Sequence, residues 1–288
     1  MHDLIVPVIT PFNNGEVSTE KLRYHADQLL KHGIDLIFLY GSTGLGPSLS
    51  LEERLKILRT FADIPEKVIV QVGGLNMEES IFLAKEAAKL NVHAIASLPP
   101  YYYPRLPESW IIRYFKSISS IYPMFLYNFP LTTGQDINAG LVKKIIRSGA
   151  NIIGIKDTVP DLNHMLEIKW SNDNDFKVYC GPDTLIMPAL RSGLDGAVSG
   201  CGNYAPVIIR KLVQHFDDEM GTKAQKLIDA ITPIVKKYGQ WSANYSMVDI
   251  LHSYSVGDPR APIFPLTDDE KDSLAMDIKK NLPTGDTL

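Results

Sequence analysis

Lys156 closes the apolar run Ile152-Ile153-Gly154-Ile155, an unusual place for a lysine. Apolar walls disfavour the ammonium form, and a free amine is a nucleophile towards carbonyl carbon. The competing reading is a structural lysine paired with Asp157 or another carboxylate at the end of the run. Tyr127 bears on the choice, because it closes the preceding run, Met124 to Tyr127. A phenol beside an amine can carry the protons that carbonyl addition and carbon–carbon cleavage require. A tyrosine alone at such a place reads as core, so the pair carries the inference. Ser42 and Thr43 stand in a glycine-flanked turn, Gly41-Ser-Thr-Gly44. That turn can offer hydroxyls and backbone N–H groups to a carboxylate, or relay a proton to the phenol.

Other chemistries find little footing. His2, His25, His32, His93, His164, His215 and His252 show no H-E-x-x-H or paired ligand spacing, so no metal is expected. The glycines of Gly41 to Gly46 fall in the order G-x-x-G-x-G, not the dinucleotide fingerprint, and neither a Walker A loop nor a G-x-S-x-G elbow occurs. Cys180 and Cys201 form no C-x-x-C pair and are expected to be reduced and buried. A net charge of -4 argues against nucleic acid as a partner and for a small solute. The apolar start from Leu4 to Ile9 lacks a basic flank and is interrupted by Pro7 and Pro11, so a cytoplasmic protein without a membrane partner is expected.

The elements that must position these residues follow from the hydrophobic pattern. Eight short aliphatic runs recur: Leu4 to Thr10, Leu36 to Leu39, Val68 to Gln71, Ala94 to Ser97, Met124 to Tyr127, Ile152 to Lys156, Lys177 to Cys180 and Gly196 to Val198. Between them the apolar period is helical, as at Leu22, Ala26, Leu29 and Leu30. Continuous apolar strands mark a parallel sheet covered on both faces. Eight such units favour a closed (β/α)8 TIM barrel over a doubly wound open sheet, and 288 residues suit a barrel of roughly 250 with an addition. After Val198 come helices only, over Pro206 to Glu219, Thr222 to Tyr238, Ser242 to Tyr254 and Asp268 to Asn281. The expected organisation is a catalytic barrel over 1–205 and a C-terminal helical extension over 206–288 packed on it. Ser18 and Ser50 supply helix caps, the latter in a capping box with Glu53. Barrel chemistry sits at the carboxyl ends of the strands, where Lys156, Tyr127 and the Ser42-Thr43 turn all fall.

Four motifs in order, Gly41-Ser-Thr-Gly44, Pro100-Tyr-Tyr-Tyr-Pro-Arg105, Tyr127-Asn-Phe-Pro130 and Gly154-Ile-Lys-Asp-Thr158, resemble the dihydrodipicolinate synthase and N-acetylneuraminate lyase superfamily. Within it, GSTGLGPSLS from Gly41, QVGGLN from Gln71, the triple tyrosine and DPRAPIFPL from Asp258 look most like archaeal 2-keto-3-deoxygluconate aldolases. The resemblance spans essentially the whole chain. It implies a (β/α)8 barrel with C-terminal helices, a homotetramer built as a dimer of dimers, and a class I aldolase without a cofactor. The catalytic set it implies is Lys156, Tyr127, Thr43 and Tyr103. Lys156 would form the Schiff base with C2 of pyruvate or of the sugar acid, and Tyr127 would shuttle protons. Ser42 and Thr43 would hold the carboxylate and link Tyr127 by a hydroxyl relay to Tyr103 of a neighbouring subunit. Pro7, Asn128, Phe129, Thr158, Gly181, Asp183, Val198 and Gly200 complete the implied substrate-binding set. The protonated imine is the electron sink for C3–C4 cleavage.

Departures narrow the resemblance. The family's synthases carry an arginine where Thr132 stands and an acidic residue where Leu45 stands, and both differences speak against lysine biosynthesis. Relatives that take the 6-phosphorylated sugar acid hold its phosphate with an arginine after the triple tyrosine, a second tyrosine and a C-terminal arginine. Here Arg105 is kept, Phe129 lacks the hydroxyl, and Lys236 replaces the planar fork. The implied reaction is reversible cleavage of 2-keto-3-deoxygluconate, and of its galactonate epimer, to pyruvate and glyceraldehyde in an Entner-Doudoroff type of pathway. The unphosphorylated acid is expected to be preferred. The alternatives are another pyruvate-dependent aldolase, favouring the phosphorylated acid or resembling N-acetylneuraminate lyase, and a non-catalytic barrel that binds keto acids.

Overall fold

A computed structural model describes residues 2–281. Its strands are β1 (Asp3–Pro7), β2 (Phe12–Asn13), β3 (Glu16–Val17), β4 (Leu36–Leu39), β5 (Val68–Gln71), β6 (Ala94–Ser97), β7 (Met124–Asn128), β8 (Ile152–Asp157), β9 (Lys177–Cys180) and β10 (Gly196–Val198). The helices are α1 (Thr19–Lys31), α2 (Leu51–Arg59), α3 (Met77–Lys89), α4 (Glu108–Ser119), α5 (Pro130–Thr133), α6 (Ala139–Arg147), α7 (Leu162–Trp170), α8 (Ile186–Arg191), α9 (Pro206–Gln214), α10 (Glu219–Lys237), α11 (Gln240–Leu251) and α12 (Asp268–Asn281). The eight parallel strands close in the order β1-β10-β9-β8-β7-β6-β5-β4. This is the expected TIM barrel, and closure leaves it no sheet edge to protect.

Alternation along the strands sorts the apolar residues into two layers. Ile5, Phe38, Ile69, Ala96, Phe125, Tyr127, Tyr179 and Val198 fill the barrel interior. Leu4, Val6, Ile37, Val70, Leu126, Ile155 and Val178 face the helices. One irregularity breaks the register: Met124 pairs with Ile152, but Phe125 pairs with Gly154, leaving Ile153 as an extra residue in β8. Beyond it Tyr127 lies opposite Lys156, and Asn128 opposite Asp157.

Both expected caps are present. Ser18 Oγ accepts from Lys21 N at 3.4 Å, and Ser50 and Glu53 exchange bonds of 3.2 and 2.8 Å. The structure corrects some boundaries. β1 ends at Pro7 and not at Thr10, because Ile9 N is taken by Asn203 Oδ1 at 3.0 Å and Thr10 Oγ1 donates to Gly44 O at 2.6 Å. The helix expected to reach Glu219 stops at Gln214, since Asp218 Oδ1 caps the next helix by accepting from Met220 N and Gly221 N. The β2–β3 hairpin was not anticipated, although its turn holds the Asn14-Gly15 pair, both at positive φ, that favours such turns. α12 occupies its expected span. Met1 and residues 282–288, which belong to the expected barrel and extension, lie outside the described residues. No helix among the described residues is long and apolar enough to cross a membrane.

Candidate active site

The carboxyl ends of the strands open into a cavity of about 540 Å³. Lys156, from β8, reaches into it and is only 6% exposed. Its Nζ lies 4.3 Å from the Tyr127 ring centroid and 5.3 Å from that of Phe38. Asp157 does not pair with it. The next residue along a strand faces the opposite side, and the Asp157 carboxylate accepts from Asn128 Nδ2 at 3.0 Å and meets His164 Nδ1 at 2.6 Å. The paired-lysine reading is therefore removed for this partner. Tyr127 is buried, packed edge-on against Phe38 and stacked on Phe129 at 6.1 Å.

The Tyr127 hydroxyl lies 3.3 Å from Ser42 Oγ. The turn carrying Ser42 is tightly wound: Gly44 N and Gly46 N both donate to Gly41 O, and Leu45 N donates to Ser42 O, each at 3.1 Å. Tyr40 and Leu45 adopt positive φ, and a Cβ on Gly46 would meet the Tyr40 carbonyl oxygen at 1.8 Å. The chain accepts this backbone strain at the site where it presents a hydroxyl to a phenol. Thr43 lines the cavity, but the hydroxyl within reach of Tyr127 is that of Ser42.

Of the expected binding residues, Pro7, Ser42, Thr43, Phe129, Thr158, Gly181, Asp183, Val198 and Gly200 line the cavity with the Lys156–Tyr127 pair, and Lys236 stands at its wall. Asn128 is a correction. Its side chain points away from the cavity, donating to Asp136 Oδ1 at 2.9 Å and accepting from Ile137 N at 3.0 Å. It follows an inward tyrosine on a strand, so it must face outward. Thr158 uses its hydroxyl on the Asn128 carbonyl at 2.8 Å. Tyr103 and Arg105 lie outside the cavity on the loop after β6, with Tyr103 57% exposed. That loop is held by Gln135 Nε2, which donates to Tyr103 O at 3.2 Å.

Asp183 sets the acidic side of the cavity. It accepts from Ser199 Oγ at 2.5 Å and from Cys201 N at 3.3 Å. Burial pushes its carboxyl up, against the pull of those bonds and of Lys156. Cys201 and Cys180 are unpaired and buried as expected, and burial raises both thiols. Sequence reasoning missed the wall supplied by α10 and α11, namely Thr232, Val235, Gln240, Trp241 and Asn244. A helical period shows which face of a helix is apolar, but not which end of the barrel it covers. No group of three or more His, Cys, Asp or Glu side chains that could hold a metal occurs among the described residues. An amine, a phenol and a hydroxyl gathered in an enclosed cavity are equipped for covalent carbonyl chemistry with proton transfer.

Comparison with known proteins agrees with this fold. The model of the dihydrodipicolinate synthetase family matches residues 1–281. The 2-dehydro-3-deoxy-phosphogluconate/2-dehydro-3-deoxy-6-phosphogalactonate aldolase of Sulfurisphaera tokodaii is 44% identical, over 96% of each chain. The structure of KD(P)GA from T. tenax superposes with a TM-score of 0.92 at 37% identity, covering 97% of this chain and 98% of that one. A Sulfolobus 2-keto-3-deoxygluconate aldolase in complex with D-KDPG gives 0.91 at 39% identity, covering 96% and 95%.

Proposed function

Because the chain belongs to the dihydrodipicolinate synthetase family and its named relatives are aldolases, we propose that this lyase is a class I aldolase acting on 2-keto-3-deoxygluconate in an Entner-Doudoroff type of pathway. The observation that carries the reading is the placement of Lys156 directly opposite Tyr127 across β7 and β8, both inside one cavity. The Lys156 amine adds to the C2 carbonyl, and loss of water leaves an imine whose protonated nitrogen draws electrons. Tyr127 takes the proton of the C4 hydroxyl. The C3–C4 bonding pair then moves into the iminium, glyceraldehyde departs, and protonation of the enamine at C3 followed by hydrolysis frees pyruvate and the lysine. Ser42 holds the Tyr127 hydroxyl, while the Thr43 hydroxyl and the N–H groups of Ser42 and Thr43, which the turn's own bonds leave free, receive the carboxylate.

Borohydride reduction in the presence of pyruvate, followed by peptide mass analysis, tests the assignment. A label on Lys156 is expected, and no label or a label elsewhere overturns it. Lys156→Ala should abolish turnover. An intact lysine and tyrosine argue against a barrel that only binds keto acids, and product analysis separates the reading from an N-acetylneuraminate type of lyase.

The unphosphorylated acid is the better substrate in this reading, with the galactonate epimer also accepted. Phe129 offers the cavity no hydroxyl, Arg105 lies outside it, and Lys236 is a point charge without a fork. The phosphorylated names of several relatives make the comparison of kcat/KM for the two acids the deciding measurement. The exposed Tyr102 and Tyr103, stacked edge-to-face at 5.4 Å, support a homotetramer in which Tyr103 completes a neighbour's site.

A further inference from the structure

Behind the reactive pair lies a closed ring of four side chains, none of which lines the cavity. Each reactive residue is followed on its strand by a ring member: Asn128 after Tyr127, Asp157 after Lys156. Asn128 Nδ2 donates to Asp157 Oδ1 at 3.0 Å and to Asp136 Oδ1 at 2.9 Å. On the other side His164 Nδ1 meets Asp157 Oδ2 at 2.6 Å and Nε2 meets Asp136 Oδ2 at 3.3 Å. Two carboxylates facing the two nitrogens of one imidazole demand two N–H donors, which only the imidazolium has. Asp136 and Asp157 accordingly hold His164 up at about 10, against the effect of its burial. Asp136, from the segment between α5 and α6, and Asp157, from β8, are the charged groups facing the ring of His164, and Asn128, from β7, closes the circle without charge.

We propose that His164 is a positioning residue that clamps the carboxyl ends of β7 and β8 from outside the barrel and so fixes Lys156 against Tyr127. The clamp has little slack. Asp157 Oδ1 also accepts from Val159 N at 3.1 Å, and Asp161 caps α7 by accepting from Asn163 N at 2.9 Å, so the first turn of α7 is tied to β8. Asp136 is bonded in sequence to Gln135, which holds the loop carrying Tyr103. With the imidazolium removed, two carboxylates face each other across an empty gap, and the strand ends that carry the amine and the phenol separate.

The inference rests on Lys156 acting as the Schiff-base lysine, and the experiment separates the two. Borohydride trapping of the wild type with pyruvate tests that reading alone, and a failure there overturns both. With wild-type trapping in hand, His164→Gln and Asp136→Asn are compared by steady-state kinetics on the cleavage reaction and by trapping rate. Loss of alignment should lower kcat about 10- to 100-fold while KM changes less than about threefold, because a misplacement near 1 Å acts on the transition state more than on binding. Trapping should still label Lys156, but more slowly. The double variant should lose little beyond the worse single one, as expected of two parts of one clamp. Folded variants that keep kcat within about twofold of the wild type, or that lose KM instead of kcat, overturn the inference. Should His164→Gln fail to fold, Asp136→Asn decides alone, since that carboxylate is partly exposed and its loss leaves the core intact.

Discussion

Lys156 Nζ stands over the face of the Tyr127 ring, 4.3 Å from its centroid, while the hydroxyl of the same tyrosine turns towards Ser42 at 3.3 Å. The ring and the hydroxyl therefore serve separate ends. The face shelters the amine, and the hydroxyl belongs to the polar turn from Gly41 to Gly44.

Tyr127→Phe isolates the hydroxyl. The ring contacts with Lys156, Phe38 and Phe129 survive, so the melting temperature should hardly move. The cleavage rate should drop by about 10²-fold or more if the phenol moves the protons. Borohydride should still attach pyruvate to Lys156. A variant turning over at the wild-type rate would remove Tyr127 from the chemistry.

The turn itself can be tested through Gly46→Ala. The new methyl would lie 1.8 Å from the Tyr40 carbonyl oxygen, so the backbone from Tyr40 to Gly46 must move. Arg54 Nη2, which donates to Gly46 O at 2.7 Å, would lose its partner. A stability loss of about 3 kcal/mol or more is expected in urea unfolding, together with a fall in kcat as Ser42 shifts. A variant as stable as the wild type would contradict this account of the turn.

Phe129→Tyr addresses the second substrate. Its ring lines the cavity beside Tyr127 and can carry a hydroxyl without changing the stack. The ratio of kcat/KM for the phosphorylated over the unphosphorylated acid should rise by about 10- to 100-fold, the value of one hydrogen bond to a charged group. An unchanged ratio would assign the selectivity elsewhere.

Acid should weaken the fold through His25. This buried ring bridges Tyr254, 2.9 Å from Nδ1, and Asn203 Oδ1, 3.1 Å from Nε2, in its neutral form. Burial pushes it down to about 4, with Asn203 opposing and His252 adding to the effect. Between about 6.5 and 4 the unfolded chain binds a proton that the folded one refuses, so stability is lost as pH falls through that window. The full loss is about 3 kcal/mol, at about 1.4 kcal/mol per pH unit. Urea unfolding at pH 7 and pH 4.5 should show a steeper loss for the wild type than for His25→Asn. Asn203 also donates to the carbonyls of Pro7 and Gly200, both on the cavity wall, so activity should fall in the same window.

The barrel was legible because its strands are apolar on both faces, and α12 because Asp268 and Asn281 bound a clean helical segment. β1 was read too long, since Val8 to Thr10 continue the apolar run while their backbone partners, Phe38 O and Asn203 Oδ1, lie far away in the chain. At the site, strand ends identified the inward residues, Lys156 and Tyr127 above all. Asn128 was misplaced although alternation from Tyr127 already turned it outward. His164 was illegible: its carboxylates lie 7 and 28 residues away, and no local spacing joins them.

The extra residue in β8 decides which atoms the barrel shows to its ligand. Were Ile153 paired with Phe125 in a smooth ladder instead of bulged out of it, Tyr127 would sit beside Ile155, and every β8 side chain beyond would swap sides. The nitrogen would turn out among the helices and the Asp157 carboxylate would turn inward, leaving a folded vessel with an acid where its hook had been. A single bulged isoleucine thus decides whether the amine or the carboxylate faces the cavity.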